Sequence, residues 1–379
     1  MHCTYTPSRC HVNTAALKRN FVRLGDAVSL MPVVKSDAYG HGLLPVARAL
    51  AEVGARRFAV GTVSEGIALR QAGLVQQIVP LMGVMEAEEW RQASQYSLTV
   101  PLENGDDLTC AAQLADTGLS LRVAVKCETG MGRLGFCAEE LPLLLETLRS
   151  RPGLEPELVL SHLACADQPD EAVYTQAQAE CFEGMWRALR DVWPGIERSL
   201  NNSAGTLALP QYRYEICRVG LAIYGGNPFA GLTPQDTAAY RAQQLEWVMS
   251  VSAPVLRVRQ LKAGQSLSYG RIFTASHDIT VAVVAAGYAT GVARALSNIM
   301  ELIIHGRRVR QIGRICMSML MVDVSNLPQV RAGDLAWILG GSAAAGYSPV
   351  TAQEMADTLG TIPYEILCQM GMSNPRVYC

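Results

Sequence analysis

Eight short apolar runs constrain what this chain can fold into more than any other feature. They fall at residues 32–35, 57–61, 78–82, 98–100, 121–125, 157–161, 198–201 and 219–223, with longer stretches of helical spacing between them. Runs this short and rich in Val, Ile and Leu read as buried strands, and their alternation with helices gives βα units whose strands run parallel. Eight units in this length specify a closed (β/α)8, or TIM, barrel in preference to an open doubly wound sheet. No Gly-x-Gly-x-x-Gly follows a run, which also counts against a dinucleotide fold. Among the helical stretches, 63–72 places Ile67, Ala68 and Ala72 on one face.

The pattern changes after Tyr224-Gly-Gly-Asn-Pro228. Beyond it Val255-Leu-Arg-Val-Arg259, Ile279-Thr-Val-Ala-Val-Val284 and Met319-Leu-Met-Val-Asp-Val324 read as strands between Gly and Pro turns, so a second, mostly β domain is expected. Gly231, Thr233, Pro234 and Asp236 mark a linker at 230–241, and Ser348-Pro349 announces a helix at 350–359. The expected division is a barrel at 10–232 and a C-terminal β domain at 240–379, which suits two domains in 379 residues.

Composition narrows the class. Apolar residues make up 49% and charged residues 17%, with a formal charge of −2, so neither a nucleic-acid partner nor a disordered tail is expected. The eleven cysteines are odd in number, scattered and free of Cys-x-x-Cys pairs, which fits a reduced cytoplasm. No apolar run approaches the ~18–20 residues that span a bilayer, and Met1-His-Cys-Thr-Tyr5 lacks the regions of a signal peptide. A soluble, cytoplasmic protein without membrane association is expected. No two of the six histidines have metal-ligand spacing, so no metal is expected.

Lys35 closes the first run, directly after Pro32-Val33-Val34. There its stem is desolvated, and its amine is either a neutral nucleophile for aldehydes or a cation snorkelling off a strand end. The surrounding Val33-Val-Lys-Ser-Asp-Ala-Tyr-Gly-His-Gly42 resembles the Val-Val-Lys-Ala-(Asp/Asn)-Ala-Tyr-Gly-His-Gly signature of the alanine racemase family, with Ser36 the one departure. The resemblance runs over nearly the whole chain. It implies pyridoxal 5′-phosphate held as a Schiff base on Lys35. It also implies residues 1–9 joining the C-terminal β domain, and a homodimer whose active sites are shared across the interface.

Further motifs carry the resemblance. Lys126-Cys-Glu-Thr-Gly-Met-Gly-Arg133-Leu-Gly135 reads by itself as either a Gly-rich loop with solvated cations or part of a site. It is similar to the family's Lys-x-Asp-Thr-Gly-Met-Gly-Arg-Leu-Gly. The resemblance implies Arg133 beside the substrate carboxylate and Lys126 as a lysine often carbamylated, whose carbamate orients that arginine. Ser161-His162 and Cys217-Arg218-Val-Gly220-Leu221 match the family's pair in which an arginine faces the pyridine ring and a histidine supports it. A guanidinium there can only donate, so the ring nitrogen stays unprotonated and the ring is a poorer electron sink, which favours prompt reprotonation over transamination. Asn202 and Ser203, opening a helix, together with the amides of Gly220 and Leu221, offer donors to a phosphate. Tyr39 and Tyr364 match phosphate-binding tyrosines of the family.

Leu267-Ser268-Tyr269-Gly270 is similar to the motif that carries the family's second acid/base, and Gly313-Arg314-Ile-Cys-Met317 to the motif whose methionine amide meets the substrate carboxylate. Inverting a stereocentre needs a proton removed from one face and another returned to the opposite face. The resemblance gives Lys35 the D enantiomer and Tyr269 the L. Two departures, Thr290 and Ser318, stand where the family usually has aspartate. The expected activity is interconversion of L- and D-alanine, a source of D-alanine for peptidoglycan. A serine or broad-specificity racemase and a non-catalytic pyridoxal-phosphate-binding protein are the alternatives.

Overall fold

The computed structural model describes residues 7–229, 244–341, 344, 346 and 348–379. The linker expected at 230–241 lies outside the described residues, as do 1–6 of the terminal segment expected to join the β domain. The described residues divide into two units. One takes Leu17–Ala38 and resumes at Leu43, and the other takes the residues up to Ala16, Tyr39–Gly42 and Glu246–Cys379.

The first unit holds eight parallel strands alternating with helices. They are β1 (Leu30–Pro32), β2 (Arg57–Val60), β3 (Gln77–Pro80), β4 (Val100–Leu102), β5 (Leu121–Lys126), β6 (Leu154–Leu160), β7 (Glu197–Ser199) and β8 (Cys217–Val219). Parallel ladders join β2 to β3, β4 through β7 in order, and β8 to β1. Three local contacts link these ladders. Val33 bridges Ala59, the Thr99 amide donates to the Ile78 carbonyl at 2.9 Å, and Ser199 bridges Ile216, so the ring of strands closes. Strands of a closed parallel barrel are covered on both faces, which is why they read as unbroken apolar runs. In β2 Phe58, Ala59 and Val60 are all fully buried.

Two of the runs, 32–35 and 219–223, stay in regular strand only through their first residue. The run at 32–35 leaves regular pairing after Pro32 because the chain turns left-handed at Ser36, although the Val33 and Val34 amides still donate to Val219 and Ala59 at 2.8 Å. The run at 219–223 ends as strand at Val219 and continues as a 3-10 turn over Leu221–Tyr224. The helix Val63–Gln71 buries the face of Val63, Gly66 and Leu69. Gly66 explains the choice. A Cβ there would lie 2.9 Å from Leu98 Cδ1, so the bare glycine lets this side of the helix press against the barrel while Ile67 and Ala68 are only partly covered.

The second unit is mostly antiparallel. Its longest strand, Met249–Leu261, pairs with Leu335–Leu339 near its start and with Ile279–Val284 over its second half. Leu320–Asp323, Arg307–Ile312 and Glu301–Ile304 complete a closed circuit of six strands. Arg9–Val12 pairs antiparallel with Met249–Ser252, and Arg376–Tyr378 runs parallel beside it. Leu261, Ala275, Ile279, Val281, Ile312 and Met321 form a core cluster, where truncating one large side chain to Ala costs ~2–5 kcal/mol. The helix expected at 350–359 is Ala352–Leu359, capped by the Thr351 hydroxyl on the Glu354 amide at 3.1 Å. No helix among the described residues is long and apolar enough to cross a membrane.

Candidate active site

Arg218 lies in β8, all of which is buried, so its guanidinium must find acceptors in the interior. All of them are neutral. Nη1 donates to the carbonyl and hydroxyl oxygens of Ser199, both at 2.8 Å, while Nη2 donates to the Ser161 carbonyl and to Nδ1 of His162 at 3.0 Å. Burial pushes the guanidinium pKa down to about 10, with Cys217 pulling it up and Arg133 pushing it further down, so it remains a cation at neutral pH. Four of its five N–H groups are spent within the protein. The Nε–H has no acceptor among the described residues and is open to a ligand.

His162 accepts at Nδ1 and so carries its proton on Nε2. Burial first, then the charges of Arg218, Arg133, Lys35 and Lys126, pushes its pKa down to about 3. The ring is therefore neutral, and four cations bear on it from three strands: Lys35 follows β1, Lys126 and Arg133 lie at and after the end of β5, and Arg218 lies in β8.

Arg133 is exposed on the loop after β5, and the glutamate of its own motif shapes that loop. The Glu128 carboxylate accepts from the Gly130 amide at 2.5 Å and the Arg133 amide at 3.0 Å. Burial raises its pKa, but the amides of Gly132, Gly130, Arg133 and Met131 outweigh that and hold it below the usual carboxylate value. Tyr174 donates to the Gly130 carbonyl at 2.5 Å, and the Thr129 and Ser161 hydroxyls meet at 2.8 Å. Lys126, at the end of β5, forms an ion pair with Glu103 at the end of β4. Burial pushes the Lys126 amine pKa down, and the bond to Glu103 and its charge pull it partly back.

Lys35 begins a turn of unusual backbone. Ser36, Asp37, Ala38 and Tyr39 all have φ between +51° and +56°, a left-handed stretch without glycine that costs ~1–2 kcal/mol per residue. Local bonds offset the strain. The Ala38 amide donates to Val34 at 2.8 Å, the Leu43 amide to the Asp37 carboxylate at 2.6 Å, and the Asp37 amide to Glu65 at 3.1 Å. The other Glu65 oxygen accepts from the Gly61 amide at 2.6 Å, and a Cβ on Gly61 would lie 3.3 Å from the Cβ of Lys35. Strain of this kind persists where the surroundings fix one side chain's direction.

An anion cradle follows β7 and β8. Asn202 caps the short helix Ser203–Ala208 by accepting from the Gly205 amide at 3.0 Å. The buried Ser203 hydroxyl oxygen accepts from the amides of Gly220 at 2.9 Å and Ala222 at 3.3 Å, which leaves its O–H to donate. The buried Leu221 amide, between those two, forms no hydrogen bond among the described residues. Buried amides are rarely left without an acceptor, so this arrangement fits a phosphate.

In the second unit Tyr39 is buried and packs on Tyr364 with ring centroids 5.5 Å apart; burial, then Tyr364 and Cys368, raises its pKa. Tyr269 is 70% exposed and Met317 59%. The Ser268 hydroxyl donates to the Arg314 carbonyl at 2.7 Å and so brings the turns carrying Tyr269 and Met317 together. Asn298 adds a brace, accepting from the Gly313 amide at 2.6 Å. The Met317 carbonyl accepts from the Ala289 amide at 2.9 Å, and Gly287 is required there because a Cβ would lie 2.5 Å from that carbonyl oxygen. Thr290 is buried and closes the same turn on itself, its hydroxyl contacting the Gly287 amide and carbonyl.

The chain matches family models described as the alanine racemase N-terminal domain, over residues 12–228, and C-terminal domain, over 248–378. The chain belongs to the alanine racemase family. A curated alanine racemase of Nitratidesulfovibrio vulgaris (strain DSM 19637 / Miyazaki F) is 45% identical over the full length of both chains. The crystal structure of alanine racemase from E. faecalis superposes with a TM-score of 0.88 at 29% identity, covering all of each chain. The alanine racemase from Bartonella henselae with covalently bound pyridoxal phosphate gives 0.85 at 26% identity, covering 98% of this chain and 99% of that one.

Within the first unit of this racemase-family chain, Lys35, Lys126, Arg133, His162 and Arg218 come together, and Asn202, Ser203, Gly220 and Leu221 form the cradle. Within the second, Tyr39 meets Tyr364, and Tyr269 shares a loop cluster with Met317. Sequence reasoning missed Glu103, Glu65, Ser199 and Asn298. Only Glu65 left a local signal, the Thr62-x-x-Glu65 helix-start pattern.

Proposed function

We propose that this member of the family interconverts L- and D-alanine with pyridoxal 5′-phosphate as cofactor. The observation that carries the reading is Arg218, a buried guanidinium held by neutral acceptors with one N–H to spare beside an anion cradle. When bound, pyridoxal phosphate supplies an aldehyde for an amine and a conjugated ring that draws electrons from the α carbon of an amino acid. Lys35 is its covalent attachment. Asn202, Ser203, Gly220, Leu221, Tyr39 and Tyr364 would hold the phosphate, and Arg218 would donate to the ring nitrogen. Because Arg218 remains a cation at neutral pH, it would leave that nitrogen unprotonated, which would weaken electron withdrawal and favour prompt return of the proton to carbon. Neutral His162 accepts from Arg218 and keeps its plane fixed.

Arg133 and the Met317 amide bind the substrate carboxylate. Lys35 removes the proton of the D enantiomer, and Tyr269, contributed by a second copy of the chain, removes that of the L enantiomer. Tyr269, Tyr288, Met317 and Met319 are exposed on the second unit, an aromatic and methionine-rich surface of the kind a homodimer covers. The proposed domains are 10–232 and 240–379 with 1–9 joined to the latter, working in the cytoplasm to supply D-alanine. The deciding experiment is racemisation of alanine, serine and larger amino acids by purified protein with added cofactor. Inversion of alanine well above the others supports the reading, and binding of cofactor without inversion of any amino acid refutes it.

A further inference from the structure

The Lys126–Glu103 ion pair is used by neither the phosphate cradle nor the acid–base pair, yet it sits deep in the barrel. Glu103 is 6% exposed and Lys126 7%, and among the described residues Glu103 is the one buried carboxylate. Its partner amine also donates to the Leu81 carbonyl at 3.3 Å. The barrel leaves room for the carboxylate. Gly83, at φ +69°, faces it closely enough that a Cβ would lie 3.1 Å from Glu103 Oε2. The same two residues anchor the loop that carries Arg133. The Gly135 amide donates to the Glu103 carbonyl at 3.1 Å, and the Phe136 amide donates to the Lys126 carbonyl at 2.8 Å.

We propose that Glu103 is a positioning residue, the permanent anionic partner of Lys126, which holds that lysine as an ammonium ion and bars it from carbamylation. Carbamylation requires a neutral amine, so the ammonium ion must first give one proton to water. The lone pair then attacks the carbon of carbon dioxide, an N–C bond forms, one C–O π bond becomes the anionic oxygen, and a second proton passes from the nitrogen to water. Here the carboxylate at hydrogen-bond distance stabilises the charged amine, and reaction would turn one buried cation and anion into two buried anions at contact. Like charges sharing a dry site disfavour ionisation strongly. The pair is neutral as a unit, so it braces the loop at both ends without quenching the positive charge that Arg133 presents to an anionic substrate. This role for the loop rests on the reading of Arg133 given above.

The test uses holoenzyme in isotopically labelled bicarbonate, observed by carbon NMR. The wild-type protein is expected to show no carbamate signal and the same racemisation rate with or without dissolved carbon dioxide. Glu103→Gln removes the anion and should gain one carbamate per subunit, with racemisation now rising on addition of bicarbonate. The signal should vanish again in Glu103→Gln combined with Lys126→Arg. A wild-type carbamate that disappears in Lys126→Arg overturns the proposal, as does a folded, cofactor-binding Glu103→Gln that gains none. If Glu103→Gln does not fold, the wild-type spectrum alone decides. The carbamate readout is independent of turnover, so a protein that fails to racemise alanine refutes the proposed activity without touching the assignment of Glu103.

Discussion

Ser203→Ala separates the architecture of the anion cradle from its use. The substitution deletes the one atom that accepts from the Gly220 amide at 2.9 Å and the Ala222 amide at 3.3 Å, and it leaves both donors buried. A buried unsatisfied group costs ~1–3 kcal/mol; the shorter bond should contribute most of this and the longer one a fraction, so the loss is about 2 kcal/mol. For a unit of this size that lowers Tm by about 4–8 °C, measurable by calorimetry on cofactor-free protein. The second effect is on affinity. The same hydroxyl has its hydrogen free to donate, and a hydrogen bond to a charged group is worth ~1.5–3 kcal/mol, so pyridoxal phosphate should bind about 10- to 100-fold more weakly in a spectroscopic titration. An unchanged Tm would show that Ser203 does not tie the two strand ends together. A lowered Tm with unchanged cofactor affinity would show that the cradle is structural and the phosphate binds elsewhere.

Borohydride reduction of the cofactor-bound protein should fix the label to Lys35 alone, and a labelled peptide containing any other lysine would remove Lys35 from its role. Tyr269→Phe should lower racemisation by ~10²–10⁴-fold while deuterium still exchanges into D-alanine far faster than into L-alanine; equal exchange into both would sink the two-base reading. Mixing Lys35→Ala with Tyr269→Phe subunits should restore up to about half the activity per heterodimer, since one site then has both groups intact; mixed dimers no better than their parents would put Tyr269 in its own subunit's site or outside catalysis. The unfolded chain takes up a proton at histidine near ~6.5, and folded His162 takes it up only near about 3. Between those values the unfolded state binds more protons, so stability should fall as pH drops through that window. Imidazole NMR should show a neutral His162 at pH 5, and a charged ring there would refute the packing around Arg218.

Most of the first unit was legible because closure of a parallel barrel buries both faces of every strand, and burial writes itself as an apolar run. The strand ends were less so. Val33 and Val34 look like strand and are gripped by both neighbouring strands, but the left-handed turn from Ser36 to Tyr39 has no glycine before Gly40 to announce it. Helix faces were less legible for a related reason. Period put Ile67, Ala68 and Ala72 on one face but did not say which face is buried, and the missing side chain of Gly66 sets how closely the helix approaches Leu98. At the site, motifs marked the residues that would touch a ligand, and the supports stayed hidden. Ser199 acts through two hydrogen bonds from Arg218, 19 positions away, and Asn298 through one from Gly313, 15 positions away, spacings that carry no periodic signal.

The distribution of charge explains why Glu103 could not be read from the sequence and why it matters. Lys35, Lys126, Arg133 and Arg218 all bear on His162, and after burial their repulsion of a protonated ring is what lowers its pKa. Four cations facing one buried carboxylate make a site that is incomplete without anions. A phosphate on the Ser203–Leu221 cradle and a substrate carboxylate at Arg133 would supply them, each drawn by a different part of the same excess. The arrangement divides the cations by function. Lys126 is neutralised inside the protein by Glu103, Arg218 is solvated by carbonyls, a hydroxyl and a neutral imidazole, and Arg133, on a loop curled around the Glu128 carboxylate, is exposed. Were Lys126 to lose its partner, a buried uncompensated charge would have to deprotonate, recruit an anion or disorder the loop. A carboxylate from the neighbouring strand end forestalls all three, and it does so through a residue that, in the linear sequence, is an ordinary glutamate before a helix cap.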